Sequence, residues 1–321
     1  MDIGKISKVT VLGQGVMGPD IALGFALGGY EVTGVDIEKM PLKRAAQKIS
    51  SNCRQMVEVG FISEEEANRI QSRIILTLKW EGAVVGADYI TEAVPEDMQI
   101  KKDVFEKCGK LCSERVVVAS NTSSMSISQI ASQMTFPERA ITTHWTIPAH
   151  LSPMVEVIRG ENTAVATETL SLALLRRIGK RPVCCRDNPG FIHNYIQFAM
   201  VKAALDLVEG GIASAEDVDT VVQNGFGLRV SSVGPIQFID MCGLDTILNI
   251  QEYMHAKTSN PMYKPAEAIR KKVSRGNLGI KSGKGFYEYD KKQSDEFWEK
   301  TNLNILKILR ALHVNTKIFE K

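Results

Sequence analysis

The chain is 321 residues long, room for roughly two domains at about 150 residues each, so it can bury a core without help from disulfides or metal. Its 39 basic and 37 acidic side chains leave a formal charge of +2, which offers no electrostatic footprint for nucleic acid or a membrane surface. No apolar run approaches the ~18 residues of a membrane span, and the opening MDIGKISKV has no apolar signal core, so the expected location is the cytoplasm.

Over the first part of the chain, short β-branched apolar runs alternate with helical periodicity, the pattern of a parallel sheet covered by helices. The expected strands are 9–13, 31–36, 74–77, 89–93, 116–120, 140–144, 154–158 and 181–185. Between the second and third, the apolar residues of 40–73 recur at three and four on either side of Gly60, which predicts a pair of helices, an insertion too long for a simple crossover. After Asn188-Pro189-Gly190 the strand signals end. Residues 191–210 and 214–224 read as helices, the second opened by Ser214-x-x-Asp217. Beyond Lys291, Phe297, Trp298, Leu303, Ile305, Leu306, Ile308, Leu309 and Leu312 stand among charges as in an amphipathic helix. The expected organisation is a dinucleotide-binding α/β domain over 1–187, an all-α domain over 188–290 and a helical extension over 291–321. Cys53, Cys108, Cys112, Cys184, Cys185 and Cys242 form no C-x-x-C or Cys/His ligand pattern, so they read as reduced thiols and no metal is expected.

VTVLGQGVMGPDIALGFALGGYEVTGVD combines a strand, Gly13-x-Gly15-x-x-Gly18, a helix, a second strand and Asp36 at its end. The three glycines suit a tight turn, the approach of backbone to a pyrophosphate, and close packing of helix on strand. The helix start adds amide donors and a positive dipole end for the phosphates. Asp36, 18 residues past Gly18, is placed to accept hydrogen bonds from the adenosine ribose and to repel a 2′-phosphate, which selects NAD over NADP.

Further segments resemble the L-3-hydroxyacyl-CoA dehydrogenase family over nearly the whole chain to about Asp290: TEAVPEDMQIKK, SNTSSMSI, the stretch from His144 into MVEVI, DNPGFIHN and GIKSGKGFYEYD. The resemblance implies a Rossmann domain with a helix-pair insertion, followed by a helical domain through which the chain forms a homodimer. It places Ser123, His144, Glu156 and Asn194 around the reacting carbon. It also sets Glu96 and Lys101 on the ribose and nicotinamide side, with Val16, Met17, Ala93, Val94 and Asn121 completing the cofactor contacts. Lys101 has a plainer alternative, a solvated charge; Ser123 has another, a helix cap, and Asn194 a third, a helix-start residue after Pro189-Gly190. GIKSGKGFYEYD reads as structural, its glycines turning the chain and its aromatics packing on the helical domain.

The chemistry has its own logic. Oxidising a secondary alcohol needs a base that takes the hydroxyl proton while hydride leaves for the nicotinamide, and a histidine titrating near neutrality serves both directions. Among His144, His150, His193, His255 and His313, His144 ends an expected strand on the carboxyl edge of the sheet, where open α/β folds bind their ligands. Glu156 would fix its tautomer, and Ser123 and Asn194 would hydrogen-bond the substrate oxygen as charge develops.

Three departures bear on the substrate. In His144-Trp145-Thr146-Ile147-Pro148, Ile147 stands where the resembled family usually has asparagine. Asn194 is followed by Tyr195 rather than arginine, and the stretch from Gly227 to Gly234 has the longer form seen in the gulonate dehydrogenase and lambda-crystallin branch. An acyl-CoA substrate would place its phosphates on basic residues of the helix pair, Lys43, Arg44, Lys48 or Arg54, which otherwise make a solvated face. A free small 3-hydroxy acid would need a cation for its carboxylate, for which Arg229 is the candidate, its alternative being a structural ion pair. A non-catalytic NAD-binding protein would lack His144 or Glu156, and both are present.

Overall fold

The computed structural model describes residues 3–312, so His313 and the rest of the expected tail, 313–321, lie outside the described residues. Eight strands make one sheet: β1 Lys8–Leu12, β2 Glu31–Val35, β3 Ile74–Thr77, β4 Tyr89–Glu92, β5 Val117–Ser120, β6 Ala140–Trp145, β7 Met154–Arg159 and β8 Arg181–Arg186. Every expected strand is present with its ends within about one residue. The order is β3-β2-β1-β4-β5-β6-β7-β8, so the direction of winding reverses between β1 and β4 and leaves a crevice beyond their carboxyl ends.

The sheet is not wholly parallel, which corrects the expectation. β7 runs antiparallel to β6, whereas every other neighbouring pair is parallel. Only residues 146–153 join the two strands, too few for the crossover that a parallel return needs. The strand residues themselves do not report it, because a buried strand reads alike in either direction; the shortness of the connection was the available signal.

Helices cover both faces: α1 Gly18–Leu27, α2 Lys39–Glu58, α3 Glu64–Ser72, α4 Trp80–Val85, α5 Met98–Leu111, α6 Ile127–Ile130 and α7 Val165–Arg177. One core cluster joins α1, α2, α3 and α7 to the sheet through Ile21, Leu23, Phe25, Ile49, Ile70 and Leu174. A second, on Phe105, Val118, Ile127 and Ile130, seats α5 and α6. Ile21, Leu23 and Phe25 are sealed from water, each worth about 1.5–3 kcal/mol of burial, so α1 is anchored where its first turn meets the crevice. The predicted helix pair is α2 and α3. Gly60 lies between them at a φ of 70°, and Ser63 and Glu66 form a capping box that starts α3.

The chain divides into two compact units, one up to Val201 and one from Lys202, with α8 His193–Glu209 crossing the division. The second unit contains α9 Ala215–Val221, α10 Gly227–Val230, α11 Pro235–Cys242, α12 Leu244–Thr258, α13 Glu267–Val273 and α14 Lys291–Ala311. Ser214 caps α9 as expected, accepting the Asp217 N–H at 3.1 Å, but the helix gives way at Val222 to the π-helical segment Val222–Phe226. GIKSGKGFYEYD wraps a buried carboxylate: Asp240 accepts N–H bonds from Phe286 (3.0 Å) and Tyr287 (2.9 Å) and the Tyr289 hydroxyl (3.1 Å). Gly279 and Gly285 let the chain close on it, since a Cβ at either would fall within 2.2 Å of Asp240 atoms. Burial beside that carboxylate pushes the Tyr289 phenol up. No helix among the described residues is long and apolar enough to cross a membrane.

Candidate active site

In the first unit a cleft of roughly 1030 Å³ opens at the winding reversal, at the large end of the ~300–1,000 Å³ usual for ligand sites. Its nucleotide end is mostly backbone. Gly13 leaves β1 at a φ of 89°, and a Cβ there would lie 2.6 Å from the Ala93 carbonyl oxygen, so the loop passes against the end of β4 only because the side chain is hydrogen. A Cβ on Gly18 would meet the Gly13 oxygen at 1.9 Å; Gly18 packs the loop and does not line the cleft. Gly15 is the opposite case, facing open space with bare backbone. No side chain caps the N-terminus of α1, which leaves its first-turn amides for an anion. Asp36 is oriented by the Gln14 N–H (2.8 Å) and the Glu38 N–H (3.2 Å) and lines the cleft with Val16 and Met17. Bare glycine backbone, an uncapped helix start and an oriented carboxylate are the fittings of an NAD pyrophosphate and ribose.

At the reacting end the reversal at β7 has a direct result. Antiparallel pairing sets His144 opposite Glu156, and directly paired residues share a face of the sheet. His144 Nδ1 lies 2.7 Å from Glu156 Oε2, with both side chains buried. Glu156 Oε1 accepts the N–H groups of Ile192 (2.8 Å) and His193 (2.9 Å), so both oxygens are committed. Burial alone would raise this carboxyl, but the bonds from His144, His193 and Ile192 outweigh it and hold it below the ordinary carboxylate value. Asn194, in the first turn of α8, donates from Nδ2 to the Ser123 carbonyl at 3.1 Å. Ser123, His144 and Asn194 all line the cleft. Ser123 does not cap a helix: α6 starts at Ile127, with Ser126 in the N-cap position.

Between the two ends lies a charged network. Lys101 is buried, not solvated, and its ammonium bridges Glu92 (2.8 Å) and Glu96 (3.2 Å). Glu92, at the end of β4, also accepts the Ser120 hydroxyl (2.6 Å) and the Val94 N–H (2.7 Å). Burial pushes its carboxyl up, against the pull of the lysine and these donors. Glu96 takes bonds from the Thr122 hydroxyl (2.5 Å) and the Ser123 N–H (3.1 Å), and its carboxyl is held low despite partial burial. Asn121 accepts the Trp145 N–H at 2.9 Å and lines the cleft with Ala93 and Val94.

Two substrate candidates stand elsewhere. Arg54 is exposed on α2 and is not part of the cleft lining. Arg229, in the second unit, stacks its guanidinium 3.8 Å over the Phe238 ring, a cation–π contact rather than the alternative ion pair. Lys48 is no solvated charge either: it donates to the Val16 carbonyl (2.8 Å) and pairs with buried Asp20 (3.1 Å), bracing the glycine loop. The sequence reading missed Glu92, Thr122 and Asp20, and gave no role to His193 or Gln197, which line the cleft. Glu92 alone carried a signal, as a charge at the carboxyl end of a buried strand.

Comparison with known proteins shows the family. The family model of the 3-hydroxyacyl-CoA dehydrogenase NAD binding domain matches residues 8–188, and that of the 3-hydroxyacyl-CoA dehydrogenase C-terminal domain matches 190–289. A 5-formyl-3-hydroxy-2-methylpyridine 4-carboxylate 5-dehydrogenase of Mesorhizobium japonicum is 33% identical over 312 residues, covering 96% of this chain and 98% of its own. A probable 3-hydroxybutyryl-CoA dehydrogenase of Bacillus subtilis is 34% identical, covering 90% and 100%. Among solved structures, a 3-hydroxyacyl-CoA dehydrogenase of Archaeoglobus fulgidus superposes with a TM-score of 0.79 at 31% identity, covering 95% and 99%. The chain belongs to the 3-hydroxyacyl-CoA dehydrogenase family and is an NAD-binding oxidoreductase by that membership.

Proposed function

We propose that this protein interconverts an L-3-hydroxyacyl-CoA and the 3-oxoacyl-CoA with His144 as its acid–base group. The observation that carries the reading is the His144–Glu156 pair, closed at 2.7 Å in the wall of the cleft that also holds Gly13, Gly15 and Asp36. Bound NAD supplies the acceptor for the hydride leaving the carbinol carbon. With His144 Nδ1–H donated to Glu156, Nε2 carries the lone pair that takes the hydroxyl proton, and the anionic Glu156 stabilises the imidazolium that results. In reduction the same Nε2 returns the proton. Ser123 and Asn194 supply donors for the substrate oxygen as it gains charge, while Lys101 and Glu96 position the ribose and nicotinamide.

A second reading, oxidation of a free small hydroxy acid, is favoured by Ile147. This residue is 71% exposed at the cleft where the resembled motif usually has asparagine. The Mesorhizobium relative, whose name gives a pyridine carboxylate as substrate, supports the same reading. Arg54, exposed on α2, is the CoA anchor of the first reading. Exposed apolar side chains of the second unit, Ile212, Val221 and Tyr253 among them, support a homodimer through that unit. The cytoplasm is the proposed location.

The test is a turnover screen of 3-hydroxyacyl-CoA thioesters against the matching free acids with NAD and NADP. The first reading expects 3-hydroxybutyryl-CoA with NAD to far outperform 3-hydroxybutyrate, because remote binding energy from the nucleotide positions the reacting carbon. Inert thioesters beside active free acids would replace it with the second.

A further inference from the structure

Of the four histidines in the described residues, three have a polar partner. His144 meets Glu156 at 2.7 Å, His150 meets Asp20 at 3.5 Å, and His255 meets the Asn260 carbonyl at 3.2 Å. His193 differs. Its backbone N–H is donated to Glu156 at 2.9 Å, so the carboxylate that orients His144 also fixes the start of α8 beneath this second imidazole. The two rings stand edge to face, centroids 6.0 Å apart at 66°. The His193 side chain is half-buried and lines the cleft, and among the described residues its ring nitrogens have no hydrogen-bond partner. Gln197, four positions on and therefore on the same side of α8, lines the cleft as well.

We infer that His193 is a specificity-determining residue whose imidazole donates to an oxygen acceptor on the substrate, a carboxylate or a hydroxyl carried close to the reacting carbon. The inference rests on the reading that the alcohol reacts at His144. A polar group facing a ligand that cannot bond to it loses its water without replacement, so such a site discriminates strongly against the analogue lacking the matching atom. An alkyl chain against His193 meets that penalty and an oxygen acceptor removes it. The 6.0 Å between rings sets His193 beside the carbinol rather than on it, and Gln197 extends the polar wall one turn further.

The experiment measures kcat/KM for wild type, His193→Val and His193→Gln on three acyl groups: 3-hydroxybutyryl, 3,4-dihydroxybutyryl and 3-hydroxyglutaryl. Each is supplied as CoA thioester and as free acid, with NADH fluorescence titration to show that each variant is folded. Wild type is expected to favour one of the two oxygenated groups over the alkyl one by about 10- to 100-fold. The preferred group tells hydroxyl from carboxylate. His193→Val should abolish the preference, chiefly through KM, and His193→Gln, which keeps a donor, should restore part of it. An equal preference in wild type and His193→Val, or a wild-type preference for the alkyl group, overturns the inference while the hydroxyacyl reading stands. Failure of that reading shows separately, as wild-type turnover that survives His144→Ala.

Discussion

The nucleotide end and the reacting end of the cleft are held in place by different means. At the nucleotide end, positions are set by backbone that has no room for side chains: Gly13 against Ala93, Gly18 against Gly13, and α1 sealed into the core behind them. At the reacting end, side chains hold side chains: Glu156 orients His144, and two backbone amides of the α8 start orient Glu156. The first arrangement is rigid and intolerant of added atoms. The second is adjustable and depends on charge, so it should respond to pH and to single-atom changes by degrees.

The two ends should differ most in their response to a single added methyl group. In Gly13→Ala the new Cβ meets backbone atoms of Ala93 and Val94 at 2.6 to 2.8 Å from a φ of 89°. The strain alone costs about 1–3 kcal/mol. Thermal melting should show a loss of several degrees and NADH titration a loss of binding. Gly15→Ala meets nothing and should melt as wild type while binding NADH more weakly, because its methyl enters the space the phosphates need. Equal melting of the two variants would remove the distinction.

Glu156→Gln probes the other end. Activity should fall about 10- to 100-fold as the imidazolium loses its anionic partner, with the acidic limb of the pH profile displaced. The same carboxyl links stability to pH. Its folded value lies below the ordinary 4.5, so between the two the unfolded chain binds more protons. The Glu156 contribution is therefore complete above pH 4.5 and is lost as pH falls through the folded value, a dependence that acid titration of Glu156→Gln should lack. Asp36→Ala should weaken NADH by roughly tenfold and narrow its advantage over NADPH, since one carboxylate both binds the ribose and repels a 2′-phosphate. A wild-type preference for NADPH would contradict that role. The smallest effect is expected at Arg54, exposed and off the cleft. Arg54→Glu should raise KM for a thioester about two- to threefold at low ionic strength and not at high salt.

How far each end is legible in the sequence follows from how it is built. The nucleotide end is local: a strand, three glycines, a helix and Asp36 lie within 28 consecutive residues, and each requirement leaves a residue-type mark. The reacting end is dispersed over four segments from Ser123 to Asn194, which only the resemblance brought together before the sheet did. What stayed hidden was the reversal of β7, though it is what makes His144 and Glu156 direct cross-strand neighbours. A short buried strand carries no mark of its direction, and the one mark available was the length of the connection before it, 146–153. Lys101 and Glu96 were named through the resemblance, but the burial of Lys101 and its pairing with Glu92 were not, since the strand end and loop that carry its partners meet in a way no periodicity reports.

The most direct test is a paired measurement on His144→Ala: steady-state turnover of the substrate identified by the screen, and NADH affinity by fluorescence. The expected result is a fall in kcat of about 10² to 10⁴ with NADH affinity nearly unchanged, because the proton acceptor is removed while the backbone cradle stands. Turnover close to wild type would take His144 out of the chemistry and with it the role assigned to Glu156.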